Sequence, residues 1–143
     1  MPSASSPLRI LFDQAFNQGN LAMVDELVSV DSSTHIPGWG MPANRLGLKQ
    51  MITTLRAAFP DLECMLDDEI EAESKVAAIW NMRGTHKGSF FGVSPTGRPV
   101  KVQGSVFAHT QNRLITESWI LIDQMGLLQQ LGVVPPPRGN AVF

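Results

Sequence analysis

Val100-Lys101-Val102-Gln103-Gly104-Ser105-Val106-Phe107-Ala108-His109-Thr110 runs through Gln111-Asn112-Arg113 into Leu114-Ile115-Thr116-Glu117-Ser118-Trp119-Ile120-Leu121-Ile122, and this stretch decides the fold. Val100, Val102, Val106 and Ala108 alternate with Lys101, Gln103, Ser105 and His109, the period of a strand with one dry and one wet face. Gln111-Asn112-Arg113 supplies the turn residues, so the segment predicts a long antiparallel hairpin. Working back, Val76, Ala78, Trp80 and Met82 form another alternating set, and Leu62, Cys64, Leu66 and Ile70 a third, facing Glu63, Met65, Asp67, Glu69 and Glu71. The Gly/Ser/Pro-rich segment from Gly84 to Pro99 reads as a loop.

Before Pro60 the period is helical. Leu8, Leu11, Phe12, Ala15 and Phe16 predict a helix ending at Asn17-Gln18-Gly19, and Asn20 is placed to cap a second short helix carrying Leu21, Val24 and Leu27. Val28 to Pro42 reads as a short extended piece and a loop. A third helix carries Leu46, Leu48, Ile52, Leu55 and Phe59 and stops at Pro60-Asp61. After the hairpin, about Gln124 to Leu131 is a closing helix, and Val133 to Phe143, with three consecutive prolines, is a tail. Helices first and a meander afterwards is an α+β order. We expect a curved antiparallel sheet wrapped as a cone over the N-terminal helices, in a single domain over 1–143 with an ordered core of about 7–134.

Composition bounds the partners. The chain has 143 residues, 43% hydrophobic and 17% charged, with a net charge of −2. That balance suits a soluble globular domain and gives no electrostatic footprint for nucleic acid or an anionic membrane. One cysteine excludes an internal disulfide, the apolar runs are too short to span a bilayer, and Met1 to Ser6 lacks a signal-peptide pattern. These features predict a cytoplasmic protein. The three histidines are dispersed without metal-ligand spacing, and the glycine loop lacks the lysine and following helix of a phosphate cradle.

Several motifs then fall in a recognisable order. Trp80-Asn81-Met82-Arg83-Gly84-Thr85-His86-Lys87-Gly88 with Phe91-Gly92-Val93-Ser94-Pro95-Thr96-Gly97-Arg98, together with Phe59-Pro60-Asp61-Leu62, His35 with Pro37, and Glu117, Trp119, Asp123 before Gly126-Leu127-Leu128-Gln129-Gln130-Leu131-Gly132, resembles the SnoaL-like ester and polyketide cyclases. The resemblance spans about Leu8 to Val134. It implies the nuclear-transport-factor-like, cystatin-like cone and chemistry without cofactor or metal. The best-known members close a ring by intramolecular aldol reaction of a polyketide methyl ester, with one aspartate as general acid/base and a histidine facing it across the last hairpin. Anchoring the register on Ile115 and the turn places Val106 at the histidine position and Ile120 at the aspartate position. His109 and Asp123 have the same spacing shifted by three, an odd shift that moves both side chains to the other face.

The candidate proton-transfer residues are therefore His35, which should lie across the mouth of the cone, His86 and Asp123. Each has a structural alternative: a loop hydrogen bond for His35, a bond fixing the glycine loop for His86, an N-cap for Asp123. Trp39, Cys64, Leu66, Trp80, Met82, Val106, Ser118 and Ile120 form the expected lining for a small apolar organic ligand. Cys64 otherwise reads as core. Phe107, Trp119 and Leu121 fall on the outer face and predict a homodimer through the sheet. Two functions follow: an acid/base cyclase, isomerase or hydrolase acting on an apolar carbonyl or ester, or a binding protein that has lost the acid/base pair. A purely structural module ranks last.

Overall fold

A computed structural model describes residues 6–135. The chain opens with α1 (Pro7–Ile10), capped by the Ser6 hydroxyl, which accepts from the Arg9 amide. It continues into a π-helical turn (Leu11–Phe16), then α2 (Ala22–Leu27), β1 (Val28–His35) and α3 (Arg45–Ala58). Strands β2 (Glu63–Ala72), β3 (Lys75–Thr85), β4 (Pro99–Gln111) and β5 (Leu114–Ile122) follow, and α4 (Gln124–Gln130) closes the fold. The α+β cone expected from the pattern is the observed architecture.

The sheet order is β1-β5-β4-β3-β2, and β1 runs parallel to β5. The antiparallel meander is thus completed by a strand where the sequence predicted a short extended piece and a loop. Parallel neighbours need a long connection, and α3 with three strands supplies it. The inward side chains of β1 near its end are Ser32 and Thr34, so no aliphatic alternation advertised the strand. Asn20 does not cap α2, whose cap position is Leu21 without a side-chain bond. In α3 the buried stripe includes Met51, while Leu46 is exposed.

Two close approaches shape the interior. Trp80 pairs with Gly104, and a Cβ at 104 would stand 2.6 Å from the indole Nε1 and 2.1 Å from the Leu121 carbonyl. The missing side chain lets the indole cross β4 and donate to the Leu121 carbonyl at 3.1 Å. Phe12 stacks on Phe16 at 4.4 Å and meets Trp80 edge-on at 5.2 Å, which fills the body of the cone. Asn17 covers the edge of β2, its amide donating to the Cys64 carbonyl and accepting the Cys64 amide hydrogen. A register shift between Leu66 and Asp68 reverses the parity of β2, so Ile70 faces outward instead of sharing the inner face with Leu62, Cys64 and Leu66.

Candidate functional site

The Val106–Ile120 and Phe107–Trp119 pairs fix the last hairpin, and Asn112 and Arg113 turn it with φ of 53° and 64°. Val106 and Ile120 are buried and point inward. His109 pairs with Glu117 on the outer face. Asp123 is exposed and caps α4, accepting the Gly126 amide at 2.9 Å.

At the end of the cone, β3 hands the chain to the glycine-rich loop. Asp61, just past α3, accepts from the Thr85 amide at 2.7 Å and the Thr85 hydroxyl at 2.8 Å. These two bonds, helped weakly by Lys87, hold its carboxyl below the ordinary value. The Ala58 carbonyl accepts from Lys87 and Gly88, and a Cβ at Gly88 would stand 2.0 Å from the Ala57 carbonyl, so the loop lies directly on the helix backbone. His86 is fully buried here. Its Nδ1 lies 3.0 Å from the Thr96 hydroxyl and accepts the Thr96 amide hydrogen at 3.1 Å, whereas Nε2 has no hydrogen-bond partner among the described residues.

An aromatic wall extends from this point. His86 packs on Phe59 at 5.7 Å, Phe59 on Phe90 at 5.8 Å, and Phe90 on Trp39 at 5.7 Å. Phe90 and Val93 exchange backbone hydrogen bonds across a tight turn whose next residue, Phe91, has φ of 46°, an uncommon conformation for a bulky side chain. Trp39, Phe90, Phe91, Leu127, Leu128 and Gln124 surround a half-open cavity of about 480 Å³. Gln124, the amide side chain in that lining, donates to the Pro37 carbonyl at 2.7 Å and so ties α4 to the early loop.

The expected lining is therefore divided. Trp39 borders the cavity; Cys64, Leu66, Trp80, Met82, Val106, Ser118 and Ile120 are buried core side chains, and none of them borders it. Burial pushes the Cys64 thiol up to about 12, which leaves it a packing group. Ser118 stands opposite Thr34, and the Ser32 and Thr34 hydroxyls are buried without a partner among the described residues. His35 lies on the outer face rather than across the mouth. It is the last residue of β1, where strand parity turns it outward, and it stacks on Trp119 at 5.2 Å with Nε2 2.9 Å from Glu117. Phe107, Trp119, Leu121, Ile79 and Ile70 line an outer groove of about 310 Å³. No three His, Cys, Asp or Glu side chains among the described residues are grouped to hold a metal ion. Phe90, Phe91, Leu127, Leu128 and Gln124 were not among the expected lining residues. The adjacent phenylalanines in a glycine loop were the available signal.

The model of the SnoaL-like polyketide cyclases matches residues 8–131. The chain belongs to the SnoaL-like polyketide cyclase family. Among solved structures it is similar to IdmH of Streptomyces antibioticus, a proposed polyketide cyclase, at 32% identity over 89% of this chain and 96% of that one, with a TM-score of 0.78. It is also similar to a proposed polyketide cyclase of Acidithiobacillus ferrooxidans at 27% identity, covering 92% and 98%, with a TM-score of 0.77. AclR of Streptomyces galilaeus, a proposed hydroxylase, shares the fold at 24% identity over 92% and 82%, with a TM-score of 0.78. No curated protein matches.

Proposed function

We propose that this SnoaL-like protein binds a neutral, largely apolar organic molecule, of the polyketide kind that names its family, in the cavity beside Trp39. The observation carrying this reading is the lining: aromatic and aliphatic side chains with a single amide already bonded to Pro37. Such a site suits apolar ligands by burial alone, at roughly 25 cal/mol per Å² of apolar surface removed from water. Aliphatic side chains at 106 and 120 offer no proton to transfer, which favours binding over the family's aldol chemistry.

The three tryptophans make the test direct, because Trp39 borders the cavity, Trp80 sits in the core and Trp119 lies on the outer face. Titrating tetralin, a bicyclic hydrocarbon, into nitrogen-15-labelled protein should move the indole signal of Trp39 and leave that of Trp80 in place. An unmoved Trp39 at saturation would sink the proposal, and movement of Trp119 alone would transfer the site to the outer groove.

The outer groove carries a second proposal, a homodimer through the sheet. Leu121 is 46% exposed, Ile79 41% and Phe107 36%, a contiguous apolar surface of the sort that partners cover. Leu121→Glu would place a charge in that contact, and sedimentation should show a dimer in the native protein and a monomer in the variant. The compartment we propose is the cytoplasm, which suits a free thiol; no helix among the described residues is long and apolar enough to cross a membrane.

A further inference from the structure

The cavity lining leaves one question open, which is how an apolar pocket orients its ligand. Behind the lining lies a buried polar group without a hydrogen-bond partner among the described residues. His86 is fully buried, and its two ring nitrogens have opposite circumstances. A backbone amide can only donate, so the Thr96 N–H at 3.1 Å fixes Nδ1 as an acceptor. The neutral ring must then carry its hydrogen on Nε2. That Nε2–H is a buried donor with no protein acceptor among the described residues, and leaving such a donor unpaired is costly.

Apart from Thr96, the side chain packed on His86 is aromatic. Phe59 lies against it, Phe90 against Phe59, and Phe90 is itself a wall of the cavity. The wall is built on a turn whose second residue, Phe91, is held at φ of 46°. Backbone held in that region by a bulky side chain is strained, and strain of this kind collects where segments move on ligand binding. Phe59 stands between Phe90 and His86, so displacement of both rings would lengthen the cavity toward His86.

We propose that His86 is a ligand-anchoring residue: its Nε2–H donates to a carbonyl oxygen, or another neutral acceptor oxygen, of the bound molecule, which reaches it past the Phe90 and Phe59 rings. This rests on the cavity being the binding site, as proposed above. It adds the contact that orients the skeleton, an acceptor oxygen held by a buried donor, and it assigns His86 to orientation and not to proton transfer.

The test compares 1-tetralone with tetralin, two bicycles that differ by one carbonyl. Tetralone should bind about tenfold more tightly, the factor given by a single well-formed hydrogen bond to an unpaired donor. It should also shift the nitrogen-15 signal of His86 Nε2, where tetralin does not. Two variants separate anchoring from structure. His86→Asn keeps an acceptor for the Thr96 amide and removes the far donor, so the tetralone preference should vanish with little change in melting. His86→Gln keeps a donor near the Nε2 position and loses the acceptor, so the preference should survive while melting falls. Equal affinity for the two bicycles in the native protein, or a preference that persists in His86→Asn, overturns the assignment while leaving the cavity reading standing. Failure of both bicycles to move Trp39 removes the cavity reading and this inference together.

Discussion

The protein contains two clusters of one tryptophan and two phenylalanines, and they behave differently. In the body of the cone, Trp80, Phe12 and Phe16 are sealed, and the indole N–H is satisfied by the Leu121 carbonyl. At the end of the cone, Trp39, Phe90 and Phe91 meet edge to face at 4.8 to 5.7 Å, yet Phe91 is more than half exposed and the group borders a cavity. The same residue types thus make a filled core in one place and the wall of a container in the other. What differs is the framework. The first cluster sits between a helical turn and the middle of the sheet, where Gly104 admits the indole; the second hangs on two loops held by Asp61, Gln124 and the Ala58 carbonyl.

The comparison predicts its largest effect in the body. Trp80→Ala removes a fully buried ring and its hydrogen bond, and should cost about 3–5 kcal/mol of unfolding free energy, read from urea denaturation. Trp39→Ala should cost less than about 2 kcal/mol, because the removed volume merges with a space that already opens to solvent. Its main effect should be on ligand binding, with tetralin affinity falling tenfold or more in fluorescence or calorimetric titration. Equal destabilisation by the two substitutions would break the distinction between filling and wall.

The body of the fold was legible because it is built from strong periodic signals. The even-numbered residues from Val100 to Ala108 and from Val76 to Met82 do face inward, and the Ile115 anchor gives the register in which Val106 opposes Ile120. The helix-first order and the long strands then pointed to the cone, and the resemblance implied the same closure. The end of the cone was not legible for a physical reason: its residues are brought together by loops, where no period operates. His35 was expected at the mouth because its loop neighbours are there, but it is still a strand residue and parity turns it outward toward Glu117 and Trp119. Ile70 was misplaced by a single bulge, since one extra residue exchanges the two faces of a strand. Cavity-bordering side chains from α4 look, in sequence, like any short amphipathic helix.

A smaller substitution sharpens the contrast from the opposite direction. Phe91→Gly removes the cost of holding a bulky residue in the left-handed region, about 1 kcal/mol, and exposes no sealed core. Thermal melting should therefore show a stable or slightly stabilised protein, while tetralin binding weakens through loss of one wall. Substituting glycine for Phe12 or Phe16 in the body should destabilise outright. A large stability loss in Phe91→Gly would mean that the end cluster is core after all.

Acid should distinguish the two regions more gently. The body cluster has no ionisable group of its own, whereas the end is pinned by the Asp61 carboxylate through both bonds to Thr85. Those bonds lower the native carboxyl below its ordinary value of 3.8, so the unfolded chain takes up this proton at a higher pH than the native one. The pin's contribution is complete above that ordinary value and disappears as pH falls through the lowered native value. Asp25, bonded to Lys49 at the α2–α3 contact, has its carboxyl lowered in the same direction, so global acid titration would mix the two. Amide hydrogen exchange read residue by residue separates them. Below the ordinary carboxylate value, protection at Thr85 should fall before protection at Trp80, and in Asp61→Asn the Thr85 amide should lose much of that pH dependence. If Thr85 and Trp80 lose protection together in the native protein, the end of the cone opens only with the whole fold, and a ligand would have to enter a container as rigid as the core beneath it.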